Sequence, residues 1–331
     1  MSKSGPEQRK QAEWAELRRT LCQSTAEAAA ASLVWVGKGD KNAADDAAVE
    51  AMRRVIMRSG LQFRVVIGEG ELDNAPMFAP DEVIGAGGKL DWDLAVDPLE
   101  GTYLCAEGLP GAVTAMAAGQ PGTLLSAPDS YMRKVIAGPN CPPAAVDVET
   151  PLRELLAAVA SGNGKSVAET VVCVLDKPRH QNLIEALRSA GAQLHLISDG
   201  DVPAAMWACR PHRFGVDLYL GVGGSPEGVL SAVATKALGG QMSARFEPQN
   251  PAQAERLAQW PGLTPNRIFS VNDLVKGDAV FAMATVTGTL DLAAPLQTKR
   301  SVKIAGMVIS TRSKARQPRR FLREIDSHQN G

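Results

Sequence analysis

The chain has 331 residues, 45% of them hydrophobic and 21% charged, enough to bury the core of one large α/β unit or of two subdomains. Lys+Arg (35) and Asp+Glu (36) nearly cancel, so no global field selects nucleic acid or an anionic membrane as partner. No apolar run nears the ~18 residues of a membrane span, and the polar stretch Met1–Lys10 reads as no secretory signal. The five cysteines (Cys22, Cys105, Cys141, Cys173, Cys209) are scattered without a CxxC pair, which fits reduced thiols in a cytoplasmic protein.

In chain order, residues 7–36 predict a helix, Ala-rich at its centre and ended by Gly37. A second helix spans Asn42 to about Met57, with Ala44, Ala47, Ala48, Ala51, Met52, Val55 and Ile56 on one apolar face. Leu61–Ile67 alternates in part and reads as a strand running into the turn Gly68-Glu-Gly-Glu71. A short buried strand follows over 93–97, stopped by Asp97 and Pro98, and Ala112–Ala118 reads as its neighbour. The Pro- and Gly-rich stretch Ala137–Pro143 is the clearest break, and a subdomain boundary is expected between about 138 and 150, dividing the chain into 1–145 and 146–331. Beyond it, strands (171–175, 193–197, 216–220) alternate with helices (182–190, 202–208, 226–238), the pattern of a largely parallel α/β layer. Val302–Ile309 reads as a final strand, and the basic segment 314–323 as a solvated end.

Four acidic positions lie beside strand and helix ends of the first half: Asp45, Glu69, Asp97 and Glu100. Two carboxylates on one tight turn, Asp97 and Glu100, repel each other unless a cation lies between them. Hard divalent ions take oxygen ligands and commonly bind one or two carboxylates plus a substrate phosphate. Gly101 lets backbone approach such a phosphate, and the Thr102 hydroxyl can hold a water. For Asp45, a dipole-stabilising place in the first turns of its helix is an equal alternative; Asp40 fits an N-cap. In the second half, Lys177 and Arg179 follow a strand and, if extended, point the same way as a phosphate clamp. Asp199 and Asp201 bracket Gly200, as sugar-hydroxyl acceptors or as an Asp-Gly turn. Gly223-Gly224 precede a helix whose first turn carries Glu227, for metal or for the dipole.

Several of these motifs are similar to those of class II fructose-1,6-bisphosphatases, within the lithium-sensitive, inositol-monophosphatase-like phosphatases: Gly39–Asp45, Val66–Glu71 with Ala75-Pro-Met77, and Asp97-Pro-Leu-Glu-Gly-Thr102, where the wider group's DPxDGT turn has Asp for Glu100. The resemblance continues through Ala127–Met132, Lys177–His180, Ile197–Val202 and Gly221–Gly228, covering roughly residues 25–240. It implies a layered α/β/α/β sandwich, with an N-terminal metal-binding phosphatase subdomain (1–145) and a C-terminal α/β sugar-phosphate-binding subdomain (146–331). It implies two or more Mg²⁺ or Mn²⁺ ions: Asp45 and Glu69 would hold one, and Asp97, Glu100 and Glu227 another, with the Leu99 carbonyl as a possible extra ligand. Glu100, Gly101 and Thr102 would meet the scissile phosphate. Tyr131, Lys177, Pro178, Arg179, Asp199, Gly200, Asp201 and Gly224 would hold the rest of a sugar bisphosphate. The implied reaction is in-line hydrolysis of the 1-phosphate of fructose 1,6-bisphosphate, with Asp97 in the catalytic set and Thr102 and Glu69 orienting and deprotonating water. His180 falls in a motif but suits a structural histidine.

Details around Val174–His180 and Leu196–Asp201, with Leu104-Cys105-Ala106, look most like cyanobacterial-type members that also accept sedoheptulose 1,7-bisphosphate. A homo-oligomer, dimer or tetramer, is the usual assembly of such enzymes. The alternatives are an inositol or nucleotide monophosphatase, and a catalytically weakened sugar-phosphate-binding paralogue. The sequence departs from the family pattern at Tyr103, at Leu109-Pro110, in a short loop before Asp91 and in the 285–292 segment, which bears on substrate preference and subunit contacts. A nicotinamide dehydrogenase is excluded by the missing GxGxxG fingerprint.

Overall fold

The computed structural model describes residues 5–68, 78–86 and 91–326. Two helices lead the chain. α1 (Pro6–Ser32) ends in a 3₁₀ turn over Leu33–Trp35, and α2 (Lys41–Arg58) is capped by Asp40, whose side chain accepts from the Ala43 N–H at 3.0 Å. Then come β1 (Gln62–Ile67), β2 (Val83–Gly85), β3 (Trp92–Glu100), α3 (Thr102–Glu107), β4 (Val113–Gly119) and β5 (Tyr131–Ala137). The middle of the chain holds α4 (Leu152–Gly162), β6 (Val171–Leu175), α5 (Gln181–Ser189), β7 (Gln193–Ile197), α6 (Asp201–Ala208), α7 (Pro211–Phe214), β8 (Leu218–Gly224) and α8 (Ser225–Leu238). The last part adds β9 (Gln241–Phe246), α9 (Pro251–Ala258), β10 (Ile268–Ser270), α10 (Val271–Leu274), β11 (Ala279–Thr285), β12 (Leu296–Gln297), β13 (Ser301–Ser310) and β14 (Arg319–Asp326).

The strands form two sheets. The first runs β12-β13-β11-β4-β3-β1-β2 with β14 also on β13, and the second runs β10-β9-β5-β8-β6-β7. Apolar side chains of α1 and α2 cover one face of the first sheet, around Leu17, Met52, Val96 and Val280. α6 and α8 fill the space between the sheets, where Val202, Leu230 and Val233 join Ala95, Ala117, Ile136 and Phe281 in one core. α4 and α5 cover the far face of the second sheet with Leu156, Val159, Ile184 and Leu187. The expected layered α/β sandwich is therefore present, with a further helix layer outside the second sheet.

The second sheet is mixed rather than largely parallel: β6, β7 and β8 are parallel, whereas β5 and β9 enter antiparallel. The break at 138–150 follows β5, which already belongs to the second sheet, and β11–β14 return to the first. The basic segment 314–323, expected to be solvated, is largely exposed, and it also enters a strand the sequence did not predict, β14. Its backbone pairs with β13 from Ser301↔Asp326 to Val308↔Arg319. An edge strand needs only its backbone bonds and one packed face, so Phe321 and Ile325 tuck in while the arginines stay in water.

Candidate active site

β3 does not stop at Asp97; it continues to Glu100 with all nine residues buried. Its pairing with β4 slips where Pro98 has no N–H to give: Asp97 faces Ala115 and Glu100 faces Val113, so β3 carries one extra residue. Along a regular strand, residues three apart point to opposite faces. The bulge resets that alternation, as the core shows: Val96 and Leu99 both pack toward α1 and α2, while Ala95 packs between the sheets. Asp97 and Glu100 thus converge on the space between the sheets.

Glu227 meets them there from the second sheet. β8 ends at Gly224 and α8 begins at Ser225, so Glu227 lies in its first turn. Ligand oxygens of Asp97, Glu100 and Glu227 all lie within 4.8 Å of one another. Burial first, then the neighbouring Glu227 and Asp201, pushes Glu100 up to about 8. Burial likewise raises Glu227 to about 7, against the pull of Lys134. The Glu227 Oε2 is buried with no hydrogen-bond partner among the described residues. Three crowded acids, two of them buried and the third with a buried orphan oxygen, fit a hard divalent cation supplying the missing positive charge.

The other expected residues fall as follows. Gly101, at φ 82°, turns the chain from β3 into α3, and half-buried Thr102 is the first residue of that helix. Asp45 lies in α2 and is not part of the acidic trio. Glu69 and Glu71, with Ala75-Pro-Met77, lie outside the described residues. The carboxyl ends of the parallel strands β6, β7 and β8 lie side by side, where open α/β sheets place ligand groups. Lys177 follows β6 and pairs with Asp199, after β7, at 3.1 Å. Lys177 and Arg179 do not share an extended segment, because Pro178–His180 is a 3₁₀ turn. Arg179 instead lies over the Tyr131 ring, 4.9 Å from its centroid, and donates from Nε to the Val222 carbonyl at 2.8 Å. Tyr131 pairs in register with Gly224, so the guanidinium stands beside the α8 start. Gly200, at φ 107°, caps α6, and Asp201 begins that helix, buried and ion-paired with Lys134.

His180 is structural, as expected. The Val222 N–H donates to Nε2 at 2.7 Å, so Nδ1 carries the proton and donates to the Leu175 carbonyl at 2.8 Å. Lys134 was not foreseen. Its signal lay in the alternation of β5, where it shares a face with Met132 and Ile136, a phase at which a lysine must be buried.

A profile of the bacterial fructose-1,6-bisphosphatase family, glpX-encoded, matches residues 15–325. The chain belongs to this family. Among relatives, a class 2 fructose-1,6-bisphosphatase of Haemophilus influenzae is 42% identical over 275 residues, 79% of this chain and 81% of the relative. Fructose-1,6-bisphosphatase 1 class 2 of Escherichia coli is 36% identical over 318 residues, 92% of this chain and 94% of the relative. Among solved structures, the extragenic suppressor protein suhB of Bartonella henselae aligns over 58% of this chain and 72% of that one at a TM-score of 0.33 and 11% identity. That likeness is too remote to bear on this fructose-1,6-bisphosphatase family member.

Proposed function

We propose that the protein is a divalent-metal-dependent phosphatase that hydrolyses the 1-phosphate of fructose 1,6-bisphosphate to fructose 6-phosphate. The observation that carries the reading is the trio of two buried acids, Asp97 and Glu100, and half-buried Glu227 at the mouth of the α8 N-terminus, in a chain matched by this family from 15 to 325. These three acids, with Asp45 and Glu69, would hold the ions, Mg²⁺ or Mn²⁺. Divalent ions bound there supply charge neutralisation to the phosphoryl oxygens and activation of water. The chain's own part is positioning, which dominates phosphoryl transfer. Glu100, the Gly101 backbone and Thr102 meet the scissile phosphate, and the Thr102 hydroxyl, with Glu69, orients the attacking water. The positive end of the α8 dipole, beside Gly224, favours anionic oxygens. Tyr131, Lys177, Pro178, Arg179, Asp199, Gly200 and Asp201 form the wall for the sugar and its distal phosphate. On this reading residues 1–145 mainly serve the metal and 146–331 mainly the sugar phosphate, in a cytoplasmic homo-oligomer.

A site that grips two phosphates at opposite ends also suits sedoheptulose 1,7-bisphosphate, one carbon longer. The test is phosphate release from each bisphosphate with Mg²⁺ or Mn²⁺. Asp97→Ala is expected to lose at least about a hundredfold, because even outer groups around metal sites cost ten- to hundredfold. A wild type as inactive as that variant overturns the reading. Arg179→Ala should raise KM for the bisphosphate far more than for a monophosphate. Equal effects on both favour an inositol or nucleotide monophosphatase.

A further inference from the structure

Lys134 is fully buried on β5, between the sheets. Its ammonium pairs with the Asp201 carboxylate and donates to the Gly224 carbonyl at 3.0 Å. Those two partners begin the two helices that approach the acidic trio. Asp201 is the first residue of α6, and the next residue, Val202, donates its N–H to Glu100 Oε1 at 3.3 Å. Gly224 caps α8, and Glu227 folds back so closely that a Cβ on Gly224 would lie 1.9 Å from Glu227 Oε2. Gly223 is equally crowded, its place for a Cβ being 2.2 Å from Asp201 Oδ2 and 3.0 Å from Lys134 Nζ.

The geometry points to Lys134 as a positioning residue that ties the starts of α6 and α8 together and so fixes where Glu100 and Glu227 present their oxygens to a divalent cation. It touches neither substrate nor ion; it acts through the Asp201–Val202 backbone on one acid and through the Gly224 carbonyl on the other. The inference rests on the metal-site reading above. It also carries a sign. A cation that merely repelled the metal would, on removal, tighten binding, whereas loss of a positioning group weakens it.

The test measures Mn²⁺ binding by titration calorimetry on the full chain without substrate, comparing wild type, Asp201→Asn, and Lys134→Met with Asp201→Asn. The double variant leaves no lone buried charge, and Asp201→Asn alone keeps the bond to Gly224. The double variant is expected to bind Mn²⁺ at least about tenfold more weakly than Asp201→Asn, the scale of groups that orient metal ligands. The expectation holds at an unchanged unfolding midpoint, which a merely structural role would shift without moving the Mn²⁺ affinity. Equal or tighter Mn²⁺ binding by the double variant overturns the inference. A wild type that binds no Mn²⁺ overturns the metal-site reading itself, and this inference with it. Should the methionine variant not fold, Lys134→Gln with Asp201→Asn, whose amide is one atom too short to reach both partners, decides by the same comparison.

Discussion

Gly224 has an ordinary φ of −58°, so its lack of a side chain is a matter of space rather than backbone strain. The atom a methyl group would strike is the far end of Glu227, a flexible side chain that can swing aside. Gly224→Ala should therefore fold with a near-normal unfolding midpoint yet lose metal affinity, since Glu227 must leave the trio to make room. Melting curves with and without Mn²⁺ check this: the variant should lose most of the metal-induced stabilisation. The trio also sets a pH dependence. In the metal-free protein Glu100 and Glu227 keep their protons up to about 8 and 7, whereas the unfolded chain releases them near 4.5. Between those values the folded state binds more protons, so its stability falls as pH rises from about 5 to 8. A bound divalent ion should flatten or reverse that slope, read as the midpoint of thermal unfolding across the range with EDTA and with Mg²⁺.

At the scale of elements, period and punctuation made most of the chain legible. The helices after Asp40 and Gly224, and the strands 171–175 and 193–197, match their expected bounds to within a residue or two. What failed were features that local pattern does not encode. The bulge in β3 depends on pairing with β4, so Asp97-Pro98 read as a stop although the strand runs on to Glu100. The Lys177–Arg179 clamp presumed an extended segment, but Pro178 starts a 3₁₀ turn, and the two cations reach the same strand ends by separate contacts. Lys134 escaped notice because an isolated lysine between Arg133 and Val135 reads as solvated unless its strand phase is traced. β14 was missed because its exposed arginines carry no apolar alternation, and only the partner strand reveals it. In that pairing Gly306 faces Phe321, and a Cβ on Gly306 would lie 2.1 Å from the ring Cζ and 2.8 Å from the Met283 carbonyl. Gly306→Ala should cost about 1–3 kcal/mol through overpacking, visible as an earlier urea midpoint with an unchanged slope.

At the scale of the whole molecule, β4 is flanked by β3 and by β11, whose residues 279–285 come far later in the chain. During synthesis at about 5–20 residues per second, β4 waits roughly ten to thirty seconds before its second neighbour leaves the ribosome. Until then a strand that is apolar but for Thr114, Val113–Gly119, offers unsatisfied backbone along one edge, a template for sticking to other nascent chains. Truncation at residue 278 should therefore yield insoluble protein rather than a trimmed enzyme, as a solubility assay of the fragment would record. The first sheet is sealed only by β11 to β14, so translational errors or cuts within 279–326 fall on the region that completes it.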